Sequence, residues 1–458
     1  MRRIMKTKSR NINMLEGPLL PAIIKYTIPI ILTSAIQVLF NAADLVVVGQ
    51  YCGSASVAAV GATSSLTTLI INLFIGLSVG GGVTVAHGIG CDNKEMVRRT
   101  VHTALPAALV SGAFLTVFGL LFSKTFLQLM GTPDNILELS ALYMKIYFCG
   151  MTFSMVYNFC ASILRAVGDT KSPLIFLSIS GVLNVVLNII FVTVFHMNVA
   201  GVAMATISAQ ALSATLVVIT LTRRTDACKL ILKDMRFYKD ELLRMIKIGL
   251  PAGIQGSLFS ISNVIIQSSI NSFGDVFMSG SSAAANIEGL VYVCLNAFAQ
   301  TAVNFIGQNS GARKYKRVLK IFWLCIGAVT VVGLVLGVTV FCFGETLLSI
   351  YITDSTEAIG YGIIRMMFIC FPYFLCGVMD TTTGALRGLG ASMPPMIISV
   401  LGVCGIRLVW IYTIFAIPKY HTPYVLYMSY PISWIITLLL QGIVFIMLYN
   451  RLKVTSLE

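Results

Sequence analysis

Long apolar stretches recur along the whole chain, and short polar or charged stretches separate them. A helix needs about 20 mostly apolar residues to cross the hydrocarbon core of a bilayer, which is about 30 Å thick. The pattern predicts twelve such spans, numbered in chain order, at approximately residues 22–49, 56–83, 97–122, 137–163, 173–195, 199–222, 245–272, 280–306, 318–343, 358–385, 394–417 and 424–449. The expected fold class is an all-α polytopic membrane protein.

The composition and the position of the charges support this assignment. The chain of 458 residues is 57% hydrophobic and 11% charged, which excludes an ordinary soluble domain. Basic residues lie before span 1 and after spans 2, 4, 6, 8, 10 and 12, while the other loops offer little beyond Lys124 and Lys419. The positive-inside rule then places both termini, residues 1–20 and 450–458, in the cytoplasm. The net charge of +14 is explained in this way without nucleic-acid binding.

The two halves of the chain repeat one plan. The motif LRAVGDTKSP at residues 164–173 returns as LRGLGASMPP at residues 386–395, a shift of 222 residues, and the same shift carries Pro29 onto Pro251. Because six spans bring the chain back to its starting side, the second copy enters from the same side, and the repeat is predicted to be parallel. The expected domains are an N-lobe at 21–222 (spans 1–6), a C-lobe at 245–449 (spans 7–12), and a basic amphipathic linker at 223–244 along the membrane surface.

Span 1 carries a carboxylate inside an apolar helix. Thr33, Gln37, Asn41 and Asp44 fall on one face of this helix at a period of 3.6 residues. An ionised Asp in hydrocarbon costs roughly 3 kcal/mol or more, so Asp44 must face a partner, a cation or a water-filled cavity. The alternative is an Asp near a helix end that reaches the headgroups, but three further polar residues favour a functional stripe.

Span 1 also contains Pro29, which lies before Asp44 in the sequence. Proline inside a membrane helix frees a backbone carbonyl and permits a bend, so Pro29 is a candidate hinge. A static kink is the alternative.

Spans 5 and 6 offer neutral oxygen atoms that could join Asp44. Asn184 and Asn188 lie four residues apart on one face of span 5, and Thr206 lies in span 6. One carboxylate with several neutral oxygens can hold a proton or a small hard cation such as Na⁺. Each Asn or Thr alone is better explained by hydrogen bonding between helices.

The C-lobe has a different set of polar residues inside its spans. Span 7 carries Asn263 and Gln267 on a polar stripe without an acid, and Glu288, Asp380 and Arg407 lie in spans 8, 10 and 11. In one interpretation Asp380 pairs with Arg407, and Glu288 lies in a polar cavity. In the other, Glu288 or Asp380 lines the path of a cationic substrate. Arg365 is expected to extend to the membrane surface.

Other chemistry has little support in the sequence. The 11 cysteines form no CxxC pair and the four histidines are scattered, so neither a disulfide framework nor a metal site is predicted, apart from possible Na⁺ at Asp44. No phosphate-binding glycine loop occurs, so no nucleotide cofactor is expected. An intramembrane enzyme would need clustered nucleophiles or metal-binding carboxylates. Transport driven by an ion gradient therefore fits better than catalysis.

As an ordered set, several motifs resemble the MATE family of multidrug and toxic compound extrusion transporters. They are the proline of span 1, FNAADLVVVGQY at residues 40–51, the paired LRxxG loops, and the basic loops after spans 2 and 8. The resemblance implies two six-helix lobes around a central cavity and export of amphipathic, often cationic compounds in exchange for H⁺ or Na⁺. It also implies a cation site at Asp44, Asn184, Asn188 and Thr206. The chain departs from the family at Asn188, where an acid is frequent, and in span 7, where one branch has an acid.

The resemblance leaves one alternative open within transport. A flippase for lipid-linked oligosaccharides or polysaccharides belongs to the same superfamily, and such flippases often have more spans and a more basic cavity. The expected partners are amphipathic small molecules and the lipid bilayer of a bacterial cell membrane. The chain is expected to be monomeric and to use no cofactor beyond the coupling ion.

Overall fold

The computed structural model describes residues 11–352 and 355–455, and the predicted basic residues Arg2, Arg3, Lys6, Lys8 and Arg10 and residues 456–458 lie outside these ranges. Within these described ranges, ten helices are each long and apolar enough to cross a membrane, and two bent helix pairs complete the set. The predicted all-α fold with twelve spans is confirmed. The single helices are Leu19–Tyr51 (span 1), Ser54–Gly90 (2), Lys94–Leu129 (3), Lys171–Val194 (5), Asn198–Thr222 (6), Lys239–Asn271 (7), Asp275–Gly311 (8), Tyr315–Cys342 (9), Met393–Tyr412 (11) and Pro423–Thr455 (12).

Spans 4 and 10 are bent at equivalent places in the two halves. Span 4 consists of Asp134–Cys149 and Met151–Ala166 at 47°, and span 10 consists of Thr356–Phe368 and Tyr373–Gly388 at 46°. The sequence predicted each as one continuous helix. Pro372, at the second break, cannot donate a backbone hydrogen bond and so favours the interruption.

The turns between spans show the same repeat at the level of the backbone. Turns that correspond in the two halves place a residue in the left-handed region, where φ is positive, at matched positions. The matched pairs are Gly53 with Gly274 (φ 83° and 92°), Asp92 with Arg313 (50° and 54°) and Gly168 with Gly390 (94° and 88°). The duplication predicted from the LRxxG motifs therefore extends to individual backbone conformations.

The two lobes pack closely where span 2 crosses span 7. A Cβ atom on Gly76 would lie 2.2 Å from the backbone nitrogen of Gly253, and one on Gly80 would lie 2.1 Å from the carbonyl oxygen of Met245. No other residue type allows such an approach, because any side chain would push the backbones apart. We call this contact the glycine seam.

The equivalent contact on the other side of the molecule, between spans 1 and 8, is wider and uses side chains. The Oγ1 atoms of Thr27 and Thr301 lie 2.8 Å apart, and the rings of Tyr26 and Phe305 meet edge to face at 5.3 Å. Of these two equivalent contacts, the one between spans 2 and 7 is therefore the closer.

The lobes are closed at one end of the bundle and open at the other. We call the end at which span 1 begins and span 12 ends the terminal face. Within residues 11–352 and 355–455, the hydrogen bonds between lobes begin mid-span, where Asn72 Nδ2 donates to Ser260 Oγ at 3.3 Å. They continue to the terminal face, where Gln308 Nε2 donates to the carbonyl of Ala166 at 2.7 Å. The opposite face is therefore where the lobes separate.

The segment between the lobes differs from the predicted amphipathic linker. Span 7 already begins at Lys239, and the preceding residues contain only a single 3₁₀ turn, Leu232–Asp234. Cys228 and Leu230 are each only 2% exposed and pack on the core that includes span 3, and His102 Nε2 accepts a hydrogen bond from the backbone of Ile231 at 3.1 Å. The segment packs onto the N-lobe because these apolar side chains find a buried site there.

Candidate functional site

The structure brings the four predicted cation-site residues into one connected group in the N-lobe. Asn188 Nδ2 donates to Asp44 Oδ1 and lies 3.4 Å from Asn184 Oδ1. Asn184 Nδ2 lies 3.4 Å from Thr206 Oγ1, which in turn donates to the carbonyl of Val202 at 3.0 Å. Three spans therefore contribute to this group, which we call the Asp44 site.

Local structure and packing hold the Asp44 site in place. Asn184 and Asn188 are one turn apart on span 5, and a π-helical turn, Ile190–Val194, follows directly. Such turns occur frequently at functional sites. The surrounding wall is apolar and buried, and it consists of Val47, Val48, Tyr143, Val192, Val199, Val202 and Ala203. A carboxylate in this environment needs a compensating positive charge or a proton.

One oxygen of the Asp44 site has no hydrogen-bond partner. Asn188 is fully buried, and its Oδ1 atom accepts no hydrogen bond. A buried acceptor without a partner is uncommon in native proteins and requires an explanation. Carboxylate, amide and hydroxyl oxygens together are the donor set that a hard cation prefers, so this oxygen fits a cation ligand. Among the described residues, no group of three His, Cys, Asp or Glu side chains could hold a metal ion.

The rest of the polar stripe on span 1 does not join the Asp44 site. Thr33 is buried, and its Oγ1 donates to the carbonyl of Pro29 at 2.6 Å. Thr33 and Gln37 both line a cavity between the lobes, whereas Asn41 is exposed and lines neither cavity described below. The stripe predicted from the sequence thus divides among the Asp44 site, this cavity and an exposed position.

The cavity between the lobes, which we call the central cavity, has a volume of about 530 Å³. Gln37 of span 1 and Gln300 of span 8 line it, together with Arg165 and Arg387 from the paired LRxxG motifs. Arg165 Nη1 donates to Gln300 Oε1 across the lobes at 3.1 Å. The described lining contains two arginines and no carboxylate.

A second cavity of about 650 Å³, which we call the C-lobe cavity, brings together the C-lobe residues that the sequence singled out. Asn263, Gln267, Glu288, Asp380 and Arg407 all line it. Asn72 and Asn296 line both cavities, so the two spaces adjoin. The C-lobe candidates therefore share one chamber, separate from the Asp44 site.

The charges in the C-lobe cavity pair differently from the sequence interpretation. Glu288 forms a two-point ion pair with Arg365, at 2.6 and 3.2 Å, and these residues are only 6% and 7% exposed. The expectation that Arg365 extends to the membrane surface is wrong, because it is buried beside an acid on span 8. In the part of the chain that the structure describes, Asp380 and Arg407 also do not form the ion pair that the sequence suggested.

Asp380 and Arg407 each have a neutral partner instead. Asp380 Oδ2 accepts a hydrogen bond from Tyr292 Oη at 3.1 Å. Arg407 Nε donates to Ser433 Oγ at 3.0 Å, and its guanidinium lies 4.0 Å from the centre of the Tyr430 ring. Sequence reasoning identified both charged residues but missed the aromatic residues beside them, which read as ordinary apolar positions of a span.

Curated bacterial proteins resemble the chain over most of its length. It is 28% identical over 393 residues to the probable multidrug resistance protein YpnP of Bacillus subtilis, covering 86% of this chain and 87% of that protein. It is 24% identical to the probable multidrug resistance protein YoeA of the same organism, covering 94% of each chain. The probable multidrug resistance protein NorM of Thermotoga maritima is 27% identical, covering 84% of this chain and 83% of that protein.

Solved structures share the fold. A crystal structure of MATE in complex with MaL6 matches with a TM-score of 0.90 at 21% identity, over 97% of this chain and 99% of that one. An outward-facing conformation of a multidrug resistance MATE transporter matches with a TM-score of 0.89 at 21% identity, over 97% and 98% of the two chains. The MatE family model matches twice, at residues 29–190 and 251–413, once in each half. Because these two matches cover most of the sequence, the chain belongs to the MatE family.

Proposed function

We propose that the protein is a secondary active antiporter that exports amphipathic, cationic compounds in exchange for H⁺ or Na⁺. The observation that carries the proposal is the Asp44 site, a carboxylate with buried neutral oxygens beside a buried apolar cluster. The names of the relatives, which are multidrug resistance proteins, support drugs as the exported compounds. The coupling ion is the only non-protein component the mechanism requires, and the protein works as a monomer.

The proposed orientation follows from the charge pattern. With both termini in the cytoplasm of a bacterial cell, the closed terminal face lies inside and the open face outside. The described conformation is then the one that releases substrate and receives the cation. The contacts between the lobes at the terminal face, such as His87 Nε2 with the carbonyl of Gly388 at 2.7 Å, must separate before substrate enters from inside.

The cation drives the cycle through its preference between the two conformations. A ligand shifts a conformational equilibrium only by its difference in affinity for the two states, so the cation must bind the outward-open state more tightly. Cation entry neutralises Asp44 and reorganises the site where spans 1, 5 and 6 meet. Substrate bound in the adjoining cavities is then released outward.

Span 1 has the packing that such a movement needs. Its buried residues lie near the two ends, from Ile23 to Thr33 and at Val47 and Val48, whereas residues 34–46 between them are half-buried or exposed. Pro29 lies within the first buried stretch, four residues before it ends at Thr33, so a bend there moves the less closely packed residues 34–46, which include Asp44. This is the proposed hinge.

The test is gradient-driven efflux from proteoliposomes that contain the purified native protein and a fluorescent cationic dye. A pH gradient and a Na⁺ gradient are imposed separately, and a protein-free liposome sets the leak rate. Efflux that depends on one of the two gradients supports antiport and identifies the coupling ion. Dye movement that responds to neither gradient contradicts the proposal and favours the flippase alternative, which a labelled lipid-linked oligosaccharide would then test.

A further inference from the structure

The C-lobe cavity has a charge without a counter-charge at a site built from aromatic rings. Arg407 is only 4% exposed, and in the described ranges its partners are Ser433 Oγ and the rings of Tyr430 and Trp434, at 4.0 and 5.8 Å. No carboxylate forms an ion pair with it among these residues. A guanidinium has five N–H donors, and the hydrogen bond to Ser433 uses only the one on Nε.

The other acid of the cavity does not meet this need, because Glu288 is already neutralised. Its two carboxylate oxygens both accept from Arg365, and Arg365 also donates to Ser281 Oγ at 2.8 Å. This pair is complete within the protein and adds no net charge to the cavity. The charges that remain for a ligand are those of Arg407 and Asp380.

An aromatic wall connects these two charges. Tyr292, which donates to Asp380, stacks on Tyr373 at 6.3 Å, and Tyr373 stacks on Trp434 at 5.6 Å. Trp434 meets Tyr430 edge to face at 5.9 Å, and Arg407 lies over the Tyr430 ring. The wall thus begins at a negative group and ends at a positive one, and aromatic faces favour flat apolar rings between them.

We propose that the C-lobe cavity selects aromatic amphiphiles that carry an anionic group beside their cationic one, and that Arg407 binds the anionic group. The planar guanidinium presents two parallel N–H groups that match a carboxylate or phosphate. The cationic end of the ligand then lies toward Asp380. This inference rests on the proposed export function, because it names a substrate class for the same protein.

The test compares two probes that differ by one charge. A rhodamine methyl ester is a cation, and the corresponding free acid is a zwitterion with the same ring system. Binding of each to purified protein in lipid nanodiscs is measured by fluorescence anisotropy, for the native protein and for Arg407→Gln. Arg236→Gln is the matched control, since Arg236 also stacks on a tyrosine, Tyr238 at 4.5 Å, but on the exposed segment between the lobes.

The expected result is a loss confined to the zwitterion. A charge-assisted hydrogen bond corresponds to about tenfold or more in affinity. The native protein should therefore bind the acid about tenfold more tightly than the ester, and Arg407→Gln should abolish that preference and leave ester binding within about twofold. Arg236→Gln should leave both affinities unchanged. An equal loss for both probes, a preference that survives Arg407→Gln, or no preference in the native protein would overturn the inference.

A second variant keeps the test decisive if Arg407→Gln fails to fold. Arg407→Lys retains the charge but lacks the planar pair of donors, so the preference for the acid should fall without disappearing. An unchanged preference would contradict the role of the guanidinium. Because binding requires no gradient, a protein that shows the preference but does not move dye would contradict only the proposed antiport.

Discussion

The glycine seam gives a prediction whose size follows directly from the structure. In Gly253→Ala, the new Cβ would lie 2.2 Å from the carbonyl oxygen of Leu73, whereas ordinary contacts are 3.4–4 Å. Spans 2 and 7 must therefore separate by about 1 Å. Overpacking of this kind costs about 1–3 kcal/mol. The cost falls on the conformation in which the seam is closed, so local opening of the seam should increase about 5-fold to 150-fold.

Hydrogen exchange followed by mass spectrometry measures this opening without any label. Amides of residues 69–80 and 245–257 should exchange faster in Gly253→Ala by the stated factor, while amides far from the seam should not change. Gly289→Ala is the control, because a Cβ on Gly289 of span 8 has no atom within 4 Å. Unchanged exchange at the seam in Gly253→Ala would show that the two helices do not approach as closely as described.

Three further predictions concern the ion pair, a loop and the Asp44 site. Glu288→Gln should lower the free energy of unfolding by about 3–5 kcal/mol, because it leaves Arg365 buried without its acid. The double variant Glu288→Leu with Arg365→Met removes both charges and should recover most of this loss. Thermal unfolding in detergent compares them, and an equally unstable double variant would refute the argument. Gly168→Ala should lower the free energy of unfolding by about 1–2 kcal/mol, because alanine is strained at φ 94°. It should also release the segment before span 1, since the new Cβ would lie 2.4 Å from the carbonyl oxygen of Ile12. Limited proteolysis at residues 11–17 tests this, and unaltered cleavage would contradict it. Asn188→Ala should raise the half-saturating cation concentration for efflux by about tenfold or more and leave the affinity for dye unchanged. A weakened dye affinity with an unchanged half-saturating cation concentration would count against a cation site.

The order of the spans was predictable because hydropathy and the repeat both act along the chain. The helix ends were less so, since span 8 was predicted at 280–306 and extends over Asp275–Gly311. Hydropathy records the part of a helix that matches the hydrocarbon core, whereas the helix continues through polar turns on either side. The break in span 4 was missed because Gly150 interrupts a helix only in the context of its neighbours, such as Ile207 at 2.7 Å from its would-be Cβ.

The composition of the candidate site was more predictable than its pairing. Asp44, Asn188 and Thr206 were found because each is a polar residue in an apolar helix, and polar groups in such helices converge. The partner of Glu288 was not found, because Arg365 lies 77 positions further along the chain, beyond two inter-span loops, and helical periodicity does not show which faces meet. The π turns, Ile190–Val194 beside the Asp44 site and Val400–Gly405 before Arg407, have no recognised sequence signal and rotate the following residues relative to an α-helix.

Replacement of Asp44 in the efflux assay tests the central claim most directly. Asp44→Asn keeps the shape of the side chain and removes its charge, and Asp134→Asn removes an exposed carboxylate at the start of span 4 as the matched control. Native protein and Asp134→Asn should show the same gradient-driven dye efflux from proteoliposomes, and Asp44→Asn should lose the dependence on the gradient while its thermal stability is retained. Normal gradient-driven efflux by Asp44→Asn would contradict the proposal that this carboxylate couples the cation to export.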